Sequence, residues 1–252
     1  MALFKNLTTE DLEESEDRLG GFSPIPSKIY KGVIKSFYSI TSQGGATGIV
    51  LIFDLPELKR EYRETIYITN KQGENFFKDK TSGKKMPLPG FTTVNDVCVI
   101  ATADEENPQE LSEIDFEEKV VMAWDSTSKS EKHTKVQMAT GLIGKEVALG
   151  VLEILENKSE KNERTGKYDP TAEERKTNAI DKVFHPEAKV TVAEARKELE
   201  PAFWDSWTKK NEGVVVDKRK FGKAGKGSDA GGPPAAAGSE ASASKSLFKK
   251  KK

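Results

Sequence analysis

The sequence predicts a mainly β protein with accessory helices, and three observations carry that prediction. Three extended segments, apolar in alternating or continuous patterns, follow one another within residues 28–70. The turns between them are too short to hold helices, which argues against a parallel α/β sheet. A helical stretch and two further apolar strands come only afterwards. About five strands with one helix after the third is the pattern of an OB-fold, a five-stranded antiparallel Greek-key barrel.

Taken in order, Thr8 to Glu16 reads as a short acidic helix with a threonine cap and acids in its first turn. Gly20-Gly21 ends it, and Pro24 and Pro26 mark an extended entry to the core. Lys28 to Ile40 alternates, with Tyr30, Ile34, Tyr38 and Ile40 on one face and Lys31, Val33, Lys35 and Phe37 on the other. Gly48 to Asp54 is continuously apolar, as for a strand covered on both faces. Arg60 to Asn70 alternates again, setting Tyr62, Glu64, Ile66 and Ile68 against Arg63, Thr65, Tyr67 and Thr69. Residues 71–90 read as a long loop or a hairpin around Ser82-Gly83, rich in lysine and carrying Phe76 and Phe77. Phe91 to Thr102 is helical in pattern, and 104–118 is an acidic loop. Lys119 to Asp125 and Glu146 to Glu156 are the last strand signals, and 157–168 reads as an exposed loop. Thr191-Val192-Ala193-Glu194 is a capping box that opens one amphipathic helix through Leu199, Phe203 and Trp207, ended by Gly213.

The net charge of −1 hides segregation. Residues 28–85 carry +5, residues 86–217 carry −10, and the last 35 residues carry +8. The middle of that terminal stretch is Gly, Ala, Ser and Pro, which cannot bury enough apolar surface to offset the entropy of ordering. Three regions follow: an acidic N-terminal helix (1–21), a domain with a C-terminal helix (22–216), and a disordered basic tail (217–252). The tail ends in Ser246-Leu247-Phe248-Lys249-Lys250-Lys251-Lys252, two large apolar residues beside four lysines. On a flexible tether, such a peptide is expected to dock on a protein partner.

Enzyme chemistry finds little support. Gly141-Leu142-Ile143-Gly144-Lys145-Glu146 has the wrong spacing for a phosphate-binding loop. His133 and His185 have no partner at metal-ligand spacing, and Cys98 sits in an apolar run as a buried thiol would. No cofactor or metal is expected. No apolar run reaches the ~20 residues of a membrane span, and a cytoplasmic protein is expected.

Aromatic rings interleaved with Lys and Arg in extended segments are what single-stranded nucleic acid requires, with cations along the phosphates and flat faces under unstacked bases. Lys31, Lys35, Phe37, Arg63 and Tyr67 on the strands, with Phe76, Lys78, Lys80, Lys84 and Lys85 on the following loop, are the candidate site. Tyr67, among threonines and on the face of Arg63, is the principal stacking candidate. Trp124, Trp204 and Trp207 read as packing residues.

The chain resembles the single-stranded-DNA-binding proteins of lytic podophages that carry a virion RNA polymerase. The resemblance rests on the 28–70 region, Leu88-Pro89-Gly90-Phe91 with Asn95-Asp96, the Gly141–Lys145 stretch before a long strand, and the Ser246-Leu247-Phe248 lysine-rich terminus. It implies an OB-fold protein that coats single-stranded DNA in replication and recombination, in the host cytoplasm and beside other replication proteins. It further implies that Tyr67 is needed for DNA binding. Through Ser246, Lys251 and Lys252 the terminus would engage host RNA polymerase in late transcription. The alternatives from the residues alone are a transcription co-activator or adaptor that binds only protein, a nuclease using acids of the 86–217 half, and an RNA-binding variant of the same fold.

Overall fold

The computed structural model describes residues 23–220 except 106, 126, 127, 129 and 165–167. The expected N-terminal helix and the terminal peptide Ser246–Lys252 lie outside the described residues, as does nearly all of the expected tail.

The protein is mainly β, and its sheet is almost wholly antiparallel. Three strands form a meander: β1 (Lys28–Thr41), β2 (Thr47–Leu55) and β3 (Arg60–Tyr67). Residues 71–90 contain a small hairpin of β4 (Phe76–Lys78) and β5 (Lys85–Pro87), which leads into helix α1 (Pro89–Ala101). A second hairpin, β6 (Glu117–Asp125) with β7 (Ser130–Met138), precedes the long pair β8 (Glu146–Lys161) and β9 (Tyr168–Phe184). Helices α2 (Val192–Arg196) and α3 (Phe203–Asn211) follow, and β10 (Val215–Asp217) closes the described chain.

β1 sits at the centre of the sheet. Along one edge it pairs with β2 from Val33 to Thr41. Along the other it pairs with β8 from Lys28 to Val33, and with β7 at Tyr38. The ladder runs β3-β2-β1-β8-β9, with the short β10 parallel to β8. The two outermost strands meet at one half-buried side chain. Glu64 of β3 accepts the backbone N–H of Ile180 on β9 at 2.8 Å and the Tyr62 hydroxyl at 2.7 Å. The sheet thus curls around one core, filled by Ile34, Phe37, Leu51, Phe53, Val97 and Leu149 and capped by α1.

Several expectations need correction. β1 has a bulge between Ile34 and Ser36, so alternation changes phase at Lys35. Tyr30, Ile34 and Phe37 therefore face the core, while Tyr38 and Ile40 face outward. There they meet Val50 and Ile52 of β2 under Val121, Val136 and Met138 of the β6–β7 hairpin. That cover explains why Ile49 to Phe53 is apolar at every position. The expected loop 157–168 is strand at both ends, through Lys161 of β8 and from Tyr168 of β9, because the two strands run on past the core as a charged ribbon. It carries ion pairs Arg175–Glu156 and Lys176–Glu153, both at 2.7 Å. The single expected C-terminal helix is two. Thr191 and Glu194 do form the capping box, but Glu198 takes a left-handed φ of 52° and Pro201 follows. Trp207 of α3 nonetheless packs as expected, on Ile29, Leu152 and Phe184, with its indole N–H donated to Asp181 at 2.7 Å.

Removing the carboxyl of Glu64 leaves a buried N–H and a buried hydroxyl without an acceptor. Glu64→Ala is expected to cost about 2–3 kcal/mol in urea unfolding, and Glu64→Gln, which retains an acceptor, well under half of that.

Candidate nucleic-acid interface

The outward face of β1, β2 and β3 is set by register. Opposed residues of an antiparallel pair share a face, so the rows across the strands are Arg63–Ile52–Ser36, Thr65–Val50–Tyr38 and Tyr67–Gly48–Ile40. The β6–β7 hairpin covers the β1 end of these rows and leaves the β3 end open, where Arg63, Thr65 and Tyr67 are exposed. Tyr67 is 48% exposed, and its ring lies over Gly48. Arg63 donates to the Tyr38 hydroxyl at 3.2 Å, which holds the guanidinium against the same face.

The lysine-rich hairpin is rooted beside Tyr67. Leu88 N–H closes its base on Asn75 O at 2.9 Å, and the first turn of α1 packs Gly90 against the Tyr67 carbonyl. At the tip, Asp79 accepts from Ser82 N, Ser82 Oγ and Thr81 N, an Asx turn whose donors hold its carboxyl below the usual range. The Lys85 ammonium sits 4.2 Å from the Phe76 ring centroid. Phe76 is accordingly half-buried, whereas its neighbour Phe77 is 46% exposed on the other side of the hairpin. Phe77 is the better placed of the two rings for a ligand; the pattern of the sequence did not separate them.

The expected site divides into three. Arg63 and Tyr67 share one face, with the β4–β5 lysines rooted beside it. Lys31 and Lys35 are exposed but already paired, Lys31 with Glu187 and Lys35 with Glu61, each at 2.5 Å. Those bonds to carboxylates raise both ammonium pKa values. By contrast, Arg63, Lys78, Lys80, Lys84 and Lys85 have no ion pair among the described residues. Phe37 leaves the site altogether. The β1 bulge turns it inward to 0% exposure, against Phe116 with centroids 6.1 Å apart, so no base can reach it.

Packing accounts for the Cys98 thiol and the His185 imidazole. Burial pushes the Cys98 thiol up to about 12, so it is protonated and unreactive. His185 is buried with Nδ1 accepting from Glu187 N and Ala188 N at 3.2 and 3.0 Å, and burial lowers its pKa. It borders a shallow cavity of about 550 Å³ with Asp104, Lys145 and Glu146, away from Tyr67 on the chain's β8–β9 side. Among the described residues, no three His, Cys, Asp or Glu side chains are grouped to hold a metal. No helix there is long and apolar enough to cross a membrane. No protein-family model matches this chain, and no curated protein matches it.

Asp96 of α1 supplies a pH test. Burial lifts its pKa to about 6, with Lys182 and Arg196 pulling the other way. The folded chain therefore binds the proton more tightly than the unfolded chain, whose aspartate titrates near 3.9. Stability should rise as pH falls from about 6 toward 4. Asp96→Asn should stabilise the protein at pH 7.5 by on the order of 1–2 kcal/mol in urea unfolding, with no gain at pH 4.

Proposed function

We propose that this protein binds single-stranded DNA on the open face of β3, with bases stacking on Tyr67. The observation that carries this is the exposed ring packed against Gly48, with Arg63 on its own face and lysines without ion pairs on the hairpin rooted beside it. Aromatic platforms beside unpaired cations are the two elements that sequence-tolerant single-strand binding needs. The strand order β3-β2-β1-β8-β9, with α1 between β3 and the second half, supports assigning the core to the OB-fold, with β6–β7 inserted. In that assignment Glu64 bridges the seam where a barrel would close.

The physiological setting we infer is phage DNA replication and recombination in the host cytoplasm, as the resemblance to podophage single-strand binders implies. The lysine-rich terminus Ser246–Lys252 would recruit host RNA polymerase for late transcription. A basic peptide suits an acidic protein surface, and placing it at a terminus separates recruitment from the DNA-binding face. The second reading, an adaptor that binds only protein, draws support from Val120 and Met122, which are 59% and 49% exposed on the outer side of β6–β7.

Fluorescence anisotropy of labelled oligothymidine across a salt series tests the main reading. Tight binding is expected, with log K falling by roughly 0.7 per phosphate contact for each log unit of salt. Tyr67→Ala should weaken it about tenfold or more, the range of one lost base stack. Arg63→Ala should reduce the salt slope by more than Lys31→Ala, because Lys31 is already neutralised by Glu187. No binding by the intact protein at low salt would leave the adaptor reading standing. Truncation after Lys245 should preserve oligothymidine affinity and abolish polymerase capture in a pull-down; loss of both together would refute the division of labour.

A further inference from the structure

We infer that Gly48 is a positioning residue for the Tyr67 platform, kept without a side chain so that the ring can pack closely against β2. A Cβ added at Gly48 would stand 3.2 Å from Tyr67 Cδ1, 3.3 Å from Cε1 and 3.5 Å from Ile40 Cγ1. The first two are tighter than ordinary carbon contacts, so the ring would have to shift by a few tenths of an ångström. Backbone conformation does not explain the glycine. Gly48 lies inside β2 with no left-handed φ, opposite both Tyr67 and Ile40 in regular register. Its flank is Thr47 and Ile49, good strand formers, and a glycine in that position weakens a strand. The position therefore gives up strand propensity for space under the ring.

Gly90 acts on the same residue from the other side. A Cβ there would overlap the Tyr67 carbonyl oxygen and press on Ile66 Cγ2 at 2.9 Å. Glycines from β2 and α1 thus fix the ring and the backbone of Tyr67 respectively. The hydroxyl of Tyr67 has no protein partner among the described residues, so the ring is oriented by packing alone. The ring packs against Gly48 along Cδ1 and Cε1 while the residue stays 48% exposed, so a planar ligand would meet a ring already held in place. Pre-orientation reduces the ordering cost at binding, and that is where affinity is gained.

The role follows only if bases stack on Tyr67, as proposed above, and the test separates the two ideas. Binding of oligothymidine and of an abasic phosphodiester of equal length is compared for the intact protein, Gly48→Ala, Gly48→Val, Tyr67→Ala, and Gly48→Val combined with Tyr67→Ala. The expected result is a graded loss toward oligothymidine, a few-fold for Ala and about tenfold for Val. Abasic affinity and the salt slope stay unchanged. Melting temperature should hold or rise in Gly48→Val, because valine favours a strand, so stability and affinity move in opposite directions. In the Tyr67→Ala background, Gly48→Val should have no further effect. Unchanged oligothymidine affinity in Gly48→Val, with Tyr67→Ala still impaired, overturns the role of Gly48 and leaves the stacking site intact. Equal affinity of the intact protein for oligothymidine and the abasic chain overturns the stacking site and this role with it.

Discussion

β1 belongs to two ladders at once, and the bulge between Ile34 and Ser36 lets it. Its first half pairs with β8 and its second with β2, and a strand that serves both must bend where it passes from one to the other. At the bulge, Gly144 N–H reaches Ile34 O at 2.8 Å and Ile34 N–H reaches Lys145 O at 2.9 Å, so the β8 side stays bonded while the β2 side shifts. The change of phase sends Phe37 inward and Tyr38 outward. The first completes the core under α1. The second supplies the outer apolar patch that the β6–β7 hairpin covers. Without that patch the hairpin would have no seat, and the open face would not stop where it does.

What the sequence made legible follows from this geometry. β3 could be read because Tyr62 and Ile66 are buried between exposed neighbours, and β2 because burial on both faces makes its centre apolar throughout. The burial of Phe37 could not, since one extra residue in a strand inverts every later side chain and leaves no mark on composition. β9 escaped because most of it lies beyond the core, where both faces are solvated and Glu173-Glu174-Arg175-Lys176 gives no period. The helix break near Pro201 was hidden by apolar spacing that happened to continue across it. Tyr67 was found from its threonine neighbours and its shared face with Arg63. Gly48 was not, because a glycine gains meaning only when strand pairing shows what lies over it.

The distribution of charge gains physical content in the same way. Counting placed an excess of +5 in residues 28–85. Geometry shows that the excess is uneven: Lys28, Lys31 and Lys35 of β1 each hold an acid, on Glu57, Glu187 and Glu61. Exposed pairs of this kind add little to stability, but they cancel the local field that a polyanion would feel. Arg63 of β3 and Lys78, Lys80, Lys84 and Lys85 of the β4–β5 segment, by contrast, hold no ion pair among the described residues. These cations lie on, or follow closely after, the strand that carries Tyr67.

The length of β9 creates a hazard that its residues answer. One side of this 17-residue strand pairs with β8, and no strand among the described residues pairs along the other. A long edge open to solvent is a template on which a second molecule can add a strand. Pro170 removes a donor near the start of the edge. The exposed run Glu173-Glu174-Arg175-Lys176 puts charge where an incoming strand would have to desolvate it. The polar character that hid β9 in the sequence also makes its open edge a poor seat for another strand.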